Sequence, residues 1–282
     1  MKYGVTFPIT GVDGDVNLLV DFASLAEEAG WDGVFLEDYI SYYEGDEYTV
    51  FDPWLALAAM AVRTERIRLG ITVSPLARRR PWKVARESVT LDHLSNGRFI
   101  LGVGVGDSSD KSFSHFGEVT DVKQRAEMLD ESLDILAGLW SGQPFSYSGK
   151  HYHMDEITFL PKPVQSPRIP IWVGGFWPRK GPARRAARWD GFCAAKINED
   201  GTFGFVTPAD VREMKNFIEQ QRSADTPFDF ITGGQTPGDD PGQARSVLEP
   251  FAEAGITWWM EFASSKADEL RRRIKQGPPR IE

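Results

Sequence analysis

A closed (β/α)8 barrel is the α/β fold this sequence predicts, on three observations. Apolar, β-branched runs alternate with helical patterns along the whole chain, the order that builds a parallel sheet with helical crossovers. The runs Ile67–Val73 and Phe99–Val105 are almost uninterrupted, as expected of strands buried on both faces. Eight such units fit within 282 residues, near the length of about 250 typical of these barrels. A doubly wound open sheet uses the same units and is the alternative.

The elements follow in order. Tyr3–Phe7 reads as the first strand, Val16–Ala29 as a helix closed by Gly30, and Gly33–Leu36 as the second strand, running into Glu37, Asp38 and Tyr39. A loop rich in Tyr, Glu, Asp and Gly over 41–49 precedes the helix Pro53–Arg63, which Asp52 caps and Pro53 opens. The third strand, Ile67–Val73, leads to a helix that starts beside Pro81 and stops at Ser95-Asn96-Gly97. After the fourth strand, Phe99–Val105, residues 107–121 are polar and irregular, and Val122–Trp140 is a long amphipathic helix with Ala126, Leu129, Leu133, Leu136 and Leu139 on one side. Phe145–Tyr147 and His151–His153 pair as a short hairpin around Ser148-Gly149-Lys150. The strands Ile169–Val173, Phe192–Ile197, Phe228–Thr232 and Thr257–Phe262 then alternate with the helices Arg179–Arg188, Pro208–Arg222, Gly242–Ala254 and Lys266–Lys275. One domain over 1–282 is expected, with insertions at the C-terminal mouth near 107–121 and 142–166.

Composition narrows the partners. A net charge of −9 and a pI near 5.1 argue against nucleic acid, which needs an extended basic surface. No run of about 18 apolar residues is present, and the chain enters a strand at once instead of a leader, so no membrane contact and a cytoplasmic location are expected. The single cysteine, Cys193, fits a reducing compartment and a place in the core. His151 and His153 share a hairpin face, but no spaced carboxylate or cysteine set completes a metal site, so none is expected. His93 and His115 lack local partners. No G-x-S-x-G elbow or P-loop occurs, which removes the commonest serine hydrolase and NTPase readings.

In such a barrel the active site lies at the C-terminal ends of the strands. Those positions hold Phe7, then Glu37, Asp38 and Tyr39, then Thr72 and Ser74, then Asp107 and Ser108. Gly174, Gly175, Phe176 and Trp177 follow the fifth strand, Lys196 ends the sixth, Gly233 to Gln235 follow the seventh, and Glu261 lies in the eighth. If the second strand continues, alternation turns Glu37 and Asp38 to opposite faces, so at most one looks into the mouth. Gly102, Gly104 and Gly106 share one strand face, which either lets a ligand approach the backbone or makes room for packing inside the barrel. Their spacing departs from the dinucleotide fingerprint, because the position for the third glycine is Asp107. Arg78, Arg79, Arg80 and Lys83 form a basic run that reads either as a site for phosphate or a polyglutamate tail or as a solvated helix start. Nine tryptophans, several near strand ends, point to an aromatic wall, with Tyr39, Tyr42, Tyr43, Phe176, Trp177 and Trp258 as candidates.

The run LGITVSP, followed by RRPWKVARE and TLDHLSNGRFILGVGVG, with WDGVFLEDY at strand two and IPIWVGG at strand five, resembles the bacterial-luciferase-like family of flavin-dependent oxidoreductases. The likeness is close over residues 2 to about 197 and looser beyond. It implies a (β/α)8 TIM barrel that binds FMN or the deazaflavin coenzyme F420 at its mouth, commonly as a homodimer, for hydride transfer or monooxygenation. It also implies a strand-three bulge with a non-prolyl cis peptide behind the flavin ring, at Ile71, Thr72 and Val73. Backbone N–H groups of Gly106, Asp107 and Ser108, with Gly174, Gly175, Phe176 and Trp177 opposite, would hold the cofactor phosphate. Phe7 and Gly104, at the ends of strands one and four, complete the expected cofactor-binding set.

Asp38 and Tyr39 stand where many deazaflavin-using members carry Asp-His. A phenol with a pKa of about 10 donates a hydrogen bond where an imidazole would carry a proton. Asp107 matches a family position often held by an acid that protonates substrate, and it equally suits a loop cap. The expected catalytic set is Asp38, Tyr39 and Asp107, with Glu261 a weaker candidate. The expected function is an FMN- or F420-dependent oxidoreductase or monooxygenase acting on a small organic substrate, with a separate flavin reductase if FMN is used. A flavin-binding or sensor protein without turnover is the alternative, and a cofactor-independent barrel lyase or isomerase would have to rest on Lys196.

Overall fold

The computed structural model describes residues 1–7, 15–41, 49–107 and 110–281. Its elements run β1 (Lys2–Phe7), α1 (Val16–Glu28), β2 (Gly33–Leu36), α2 (Pro53–Arg63), β3 (Arg68–Pro75), α3 (Pro81–Leu94), β4 (Phe99–Gly104), α4 (Lys111–His115) and α5 (Val122–Trp140). They continue with β5 (Pro144–Ser148), β6 (His153–Thr158), β7 (Ile171–Trp177), α6 (Lys180–Ala186), β8 (Gly191–Ile197), β9 (Phe203–Gly204) and α7 (Pro208–Gln221), and end with β10 (Asp229–Gly234), α8 (Pro241–Ala254), β11 (Trp258–Phe262) and α9 (Ala267–Lys275).

Eight strands are parallel and in the order β1, β2, β3, β4, β7, β8, β10, β11. The β11–β1 and β8–β10 pairings close the ring, so the open sheet is excluded. The helices start where local chemistry stops the strand-to-helix turn. Asp15, Asp52, Asp121 and Asp240 each accept a backbone N–H from the first turn, and Thr207 and Asp210 form a reciprocal capping box on α7.

Strand alternation builds two apolar layers. Outward residues such as Val5, Phe7, Leu69, Ile71, Leu101 and Val173 pack beneath the helices. Inward residues Phe35, Ile100, Trp172, Ile231, Trp258 and Met260 fill the barrel floor, where Phe35 stacks on Trp172 at 5.3 Å and meets Trp258 edge-on at 5.7 Å. This plug closes the lower half and leaves only the mouth open. Most tryptophans serve the two cores: Trp172 and Trp258 in the plug and Trp140 and Trp177 beneath the helices are fully buried, whereas Trp82 is exposed.

Three segments differ from the sequence reading. The polar stretch 107–121 contains the short helix α4, capped by Asp110. Residues beyond β8 turn back as β9, antiparallel to it. The hairpin's second strand starts at His153 instead of His151, leaving His151 and Tyr152 in the tip, and β5 pairs with β6 out to Pro144 and Thr158. Its tip is held by the Glu131 carboxylate of α5, which accepts N–H bonds from Lys150, His151 and Tyr152 at 2.8, 3.0 and 3.0 Å.

Candidate active site

A cavity of about 990 Å³ opens at the C-terminal ends of the barrel strands, at the upper end of the range for ligand pockets of about 300–1,000 Å³. Among the sequence-predicted residues, Asp38, Tyr39, Thr72, Val73, Gly104, Gly106, Asp107, Gly174, Gly175 and Phe176 all border it. Phe7, Ile71 and Trp177 do not. Alternation turns their side chains outward, where Phe7 meets Phe22 edge-on and Trp177 packs on Phe217, each 1% exposed or less. Trp258 belongs to the plug below. Ser108, Tyr42 and Tyr43 lie outside the described residues.

β3 shapes the cavity floor. Its register against β4 runs Ile71 to Leu101 and resumes at Ser74 to Val103, so Thr72 and Val73 form a bulge, with a cis peptide between them. The bulge pushes the Ile71 carbonyl against β4: a Cβ on Gly102 would sit 1.9 Å from that oxygen. It also throws Val73 inward, to within 2.8 Å of where a Gly104 Cβ would lie and 2.7 Å of where a Gly174 Cβ would lie. One branched side chain thus rests on two glycines of neighbouring strands. Gly106 closes β4 with φ of +79°, a left-handed turn that favours glycine.

Asp38, expected as a catalytic group, is the hub of a buried ion network. Arg79 binds it through Nε and Nη2 at 3.0 and 2.9 Å, Ser74 Oγ and Trp54 Nε1 donate to Oδ2, and Arg78 donates to its backbone carbonyl. Arg78 reaches on to Asp110 at 2.9 Å, tying α4 to β2. Burial works against the Asp38 charge most strongly, yet Arg79, Ser74 and Arg78 together hold its carboxyl below the usual aspartate value. The basic run is explained by this network: Arg78 and Arg79 face inward to carboxylates, while Lys83 pairs with Glu87 on the surface.

Glu37, next to Asp38, borders the cavity as well. Burial without a compensating cation pushes its carboxyl up from the usual glutamate value. The sequence carried the necessary signal, since two arginines following β3 were available to claim one of the two adjacent acids. Phe203, Phe262, Phe116, Arg179, Arg185 and Cys193 also border the cavity. They escape sequence reading because they arrive from insertions (Phe116, Phe203), from α6 and its cap (Arg185, Arg179), from mid-strand (Cys193) and from the far end of β11 (Phe262). Phe203 packs on Phe176 at 5.4 Å. Cys193 faces inward on β8 instead of joining the outer core, and burial pushes its thiol up to about 12.

Two other candidates are engaged elsewhere. Glu261 is buried and takes N–H and O–H bonds from Thr236 and a contact from Arg273 at 3.2 Å, fastening α9 to the barrel. Lys196 pairs with Asp210 at 2.7 Å, inside the α7 cap. His93 meets the Lys162 carbonyl and His151 meets Glu127. Among the described residues no group of three His, Cys, Asp or Glu side chains could hold a metal, and no helix is long and apolar enough to cross a membrane.

Known proteins share this framework. The chain is 34% identical over 165 residues to an F420-dependent glucose-6-phosphate dehydrogenase of Microbacterium testaceum, covering 57% of this chain and 48% of that protein. It is 29% identical over 258 residues to an F420-dependent hydroxymycolic acid dehydrogenase of Mycobacterium tuberculosis, covering 90% and 62%. The chain spans about half the length of the first of these relatives. In three dimensions it is similar to an F420-dependent secondary alcohol dehydrogenase solved with an F420-acetone adduct, with a TM-score of 0.79 and 17% identity over 99% of this chain and 98% of that one. The family model described as luciferase-like monooxygenase matches residues 1–277, and the chain belongs to that family.

Proposed function

We propose that this chain is an oxidoreductase that uses coenzyme F420 or FMN to exchange hydride with a small organic substrate. The observation that carries the reading is the cavity floor. Val73 lies across Gly104 and Gly174, which leaves a smooth platform of backbone and one branched side chain beneath a volume of about 990 Å³, suited to a planar tricyclic ring. Thr72 and Val73 would back the ring, and Phe176 would wall one edge. Backbone groups of Gly106, Asp107, Gly174 and Gly175 would face its phosphate, with Lys111 and Arg179 at the rim supplying positive charge.

When bound, such a ring supplies reversible two-electron chemistry, and FMN adds the capacity to activate oxygen. The chain's own share is orientation, exclusion of water by the aromatic rim, and proton handling at the mouth. The F420 dependence named for the relatives favours the deazaflavin. Tyr39 and Asp107 border the reacting space and would donate hydrogen bonds or protons there, whereas Asp38 acts from behind as a positioning residue.

Exposed Leu55 and Val62 on α2, at 75% and 64% accessibility, support association into a homodimer, and the lone unpaired cysteine supports a reducing, cytoplasmic setting. A separate reductase partner would be needed only if FMN is the cofactor. The test is parallel titration of the purified chain with FMN and F420, oxidised and reduced, followed by absorbance and fluorescence. Micromolar binding of one of them fixes the cofactor class. Binding of neither overturns the oxidoreductase reading.

A further inference from the structure

We propose that Glu37 is the proton-transferring carboxyl of this cavity, taking the hydroxyl proton of a bound alcohol or returning it to the corresponding carbonyl. The assignment rests on the oxidoreductase reading above. It starts from a comparison of neighbours: Glu37 and Asp38 are adjacent, but Asp38 is fully occupied by Ser74, Trp54, Arg78 and Arg79. A carboxylate locked to two guanidiniums is a poor proton carrier, because protonation would strand both cations.

Glu37 sits differently. It borders the cavity just past the end of β2, two residues on from Phe35, which forms part of the apolar plug. Among the described residues it makes no ion pair, and the segments 8–14, 42–48 and 108–109 contain no Lys, Arg or His that could supply one. The other charged groups of the cavity are committed or distant in role. Asp110 is taken by Arg78 and by the Ser112 N–H, and Arg185 by Asp130 at 2.5 Å. Lys111, His115 and Arg179 belong to the solvent-exposed rim. Tyr39 and Asp107 share the wall with Glu37, and Cys193 on the far strand stays protonated. Burial raises the Glu37 carboxyl toward the range where an acid–base group works best near neutral pH.

The step balances with a hydride acceptor of the flavin or deazaflavin class. The substrate O–H bond gives its proton to a Glu37 oxygen, and the adjacent C–H bond leaves with its electron pair to the acceptor. A C=O bond forms, the acceptor gains two electrons, and Glu37 ends as the neutral acid. The reverse direction returns the same proton to the carbonyl oxygen.

Glu37→Gln keeps the shape and removes the titration. The first readout needs no cofactor. A carboxyl raised on folding loses stability as pH rises, so Glu37→Gln should melt above wild type at about pH 8 and match it at about pH 4. The second readout uses whichever cofactor the wild type binds and a panel of secondary alcohols with their ketones. Glu37→Gln should lose about 100-fold or more in kcat, with KM and cofactor affinity within about threefold and the Glu37-dependent limb of the pH profile gone. Glu37→Asp should restore part of the rate. Unchanged melting at both pH values, or a kcat within about threefold of wild type, overturns the role while cofactor binding leaves the oxidoreductase reading standing. Failure of the wild type to bind FMN or F420 overturns both.

Discussion

Arg79 grips Asp38 with two guanidinium nitrogens, Nε to Oδ2 at 3.0 Å and Nη2 to Oδ1 at 2.9 Å, and joins the end of β2 to the turn after β3. Arg78 extends the link to Asp110. Three pieces of the mouth, from β2, β3 and α4, are therefore set by one buried charge cluster. The geometry of the cavity depends on it even though no member need touch a ligand.

Removing the hub should cost heavily. Asp38→Ala leaves Arg78, whose side chain is 1% exposed, without its β2 partner. A loss of about 3–5 kcal/mol in urea unfolding is expected for a broken buried pair. A loss below about 1 kcal/mol would show that the network is not coupled to stability.

The same carboxylate sets an acid limit. Its folded value lies below the unfolded one, so its contribution is present above about pH 4 and is lost as pH falls through the lower folded value. Unfolding free energies measured from neutral pH down to about pH 3 should fall more steeply for wild type than for Asp38→Asn. Parallel curves would contradict this.

The glycines of the floor should separate folding from binding. Gly102→Ala drives a methyl into the Ile71 carbonyl, which belongs to the backbone and cannot move aside, and should destabilise by about 3 kcal/mol or more. Gly174→Ala meets the two Val73 methyls, at 2.7 and 3.3 Å, and touches backbone only at the ordinary contact distance of 3.5 Å, on the Val103 oxygen. It should fold but bind cofactor more weakly, as read by melting and by fluorescence titration.

Cys193 should be inert. With its thiol pushed up to about 12, only about one part in ten thousand is thiolate at about pH 8. Iodoacetamide should label it fully only in denaturant, as mass spectrometry would report. Rapid labelling of the native chain would show that the cavity floor is far wetter than the structure describes.

The hairpin should depend on Glu131, whose carboxylate takes three N–H bonds at the tip. Glu131→Ala should cost about 1–3 kcal/mol and open residues 144–158 to limited proteolysis. Cleavage elsewhere first would argue against the anchor.

Much of this protein is determined locally. Strand runs bounded by Gly and Pro, caps such as Asp52 before Pro53, and the LGITVSP and ILGVGVG segments state the barrel and its mouth directly, because propensity, capping and alternation act over a few residues. β2 stops at Leu36, and the same alternation, carried past it, would turn Glu37 and Asp38 opposite ways. It does not say which one faces inward. That choice was made by Arg78 and Arg79, some 40 residues on, and by Trp54 from α2, whose positions follow only from closing the barrel. Likewise the outward turn of Phe7, Ile71 and Trp177, the arrival of Phe203 from β9 and the burial of Trp172 and Trp258 as a floor are products of register and closure. Sequence dictates which residues can form strands and turns; tertiary structure decides which charges meet, because Coulombic pairing and desolvation depend on distance in space and not along the chain.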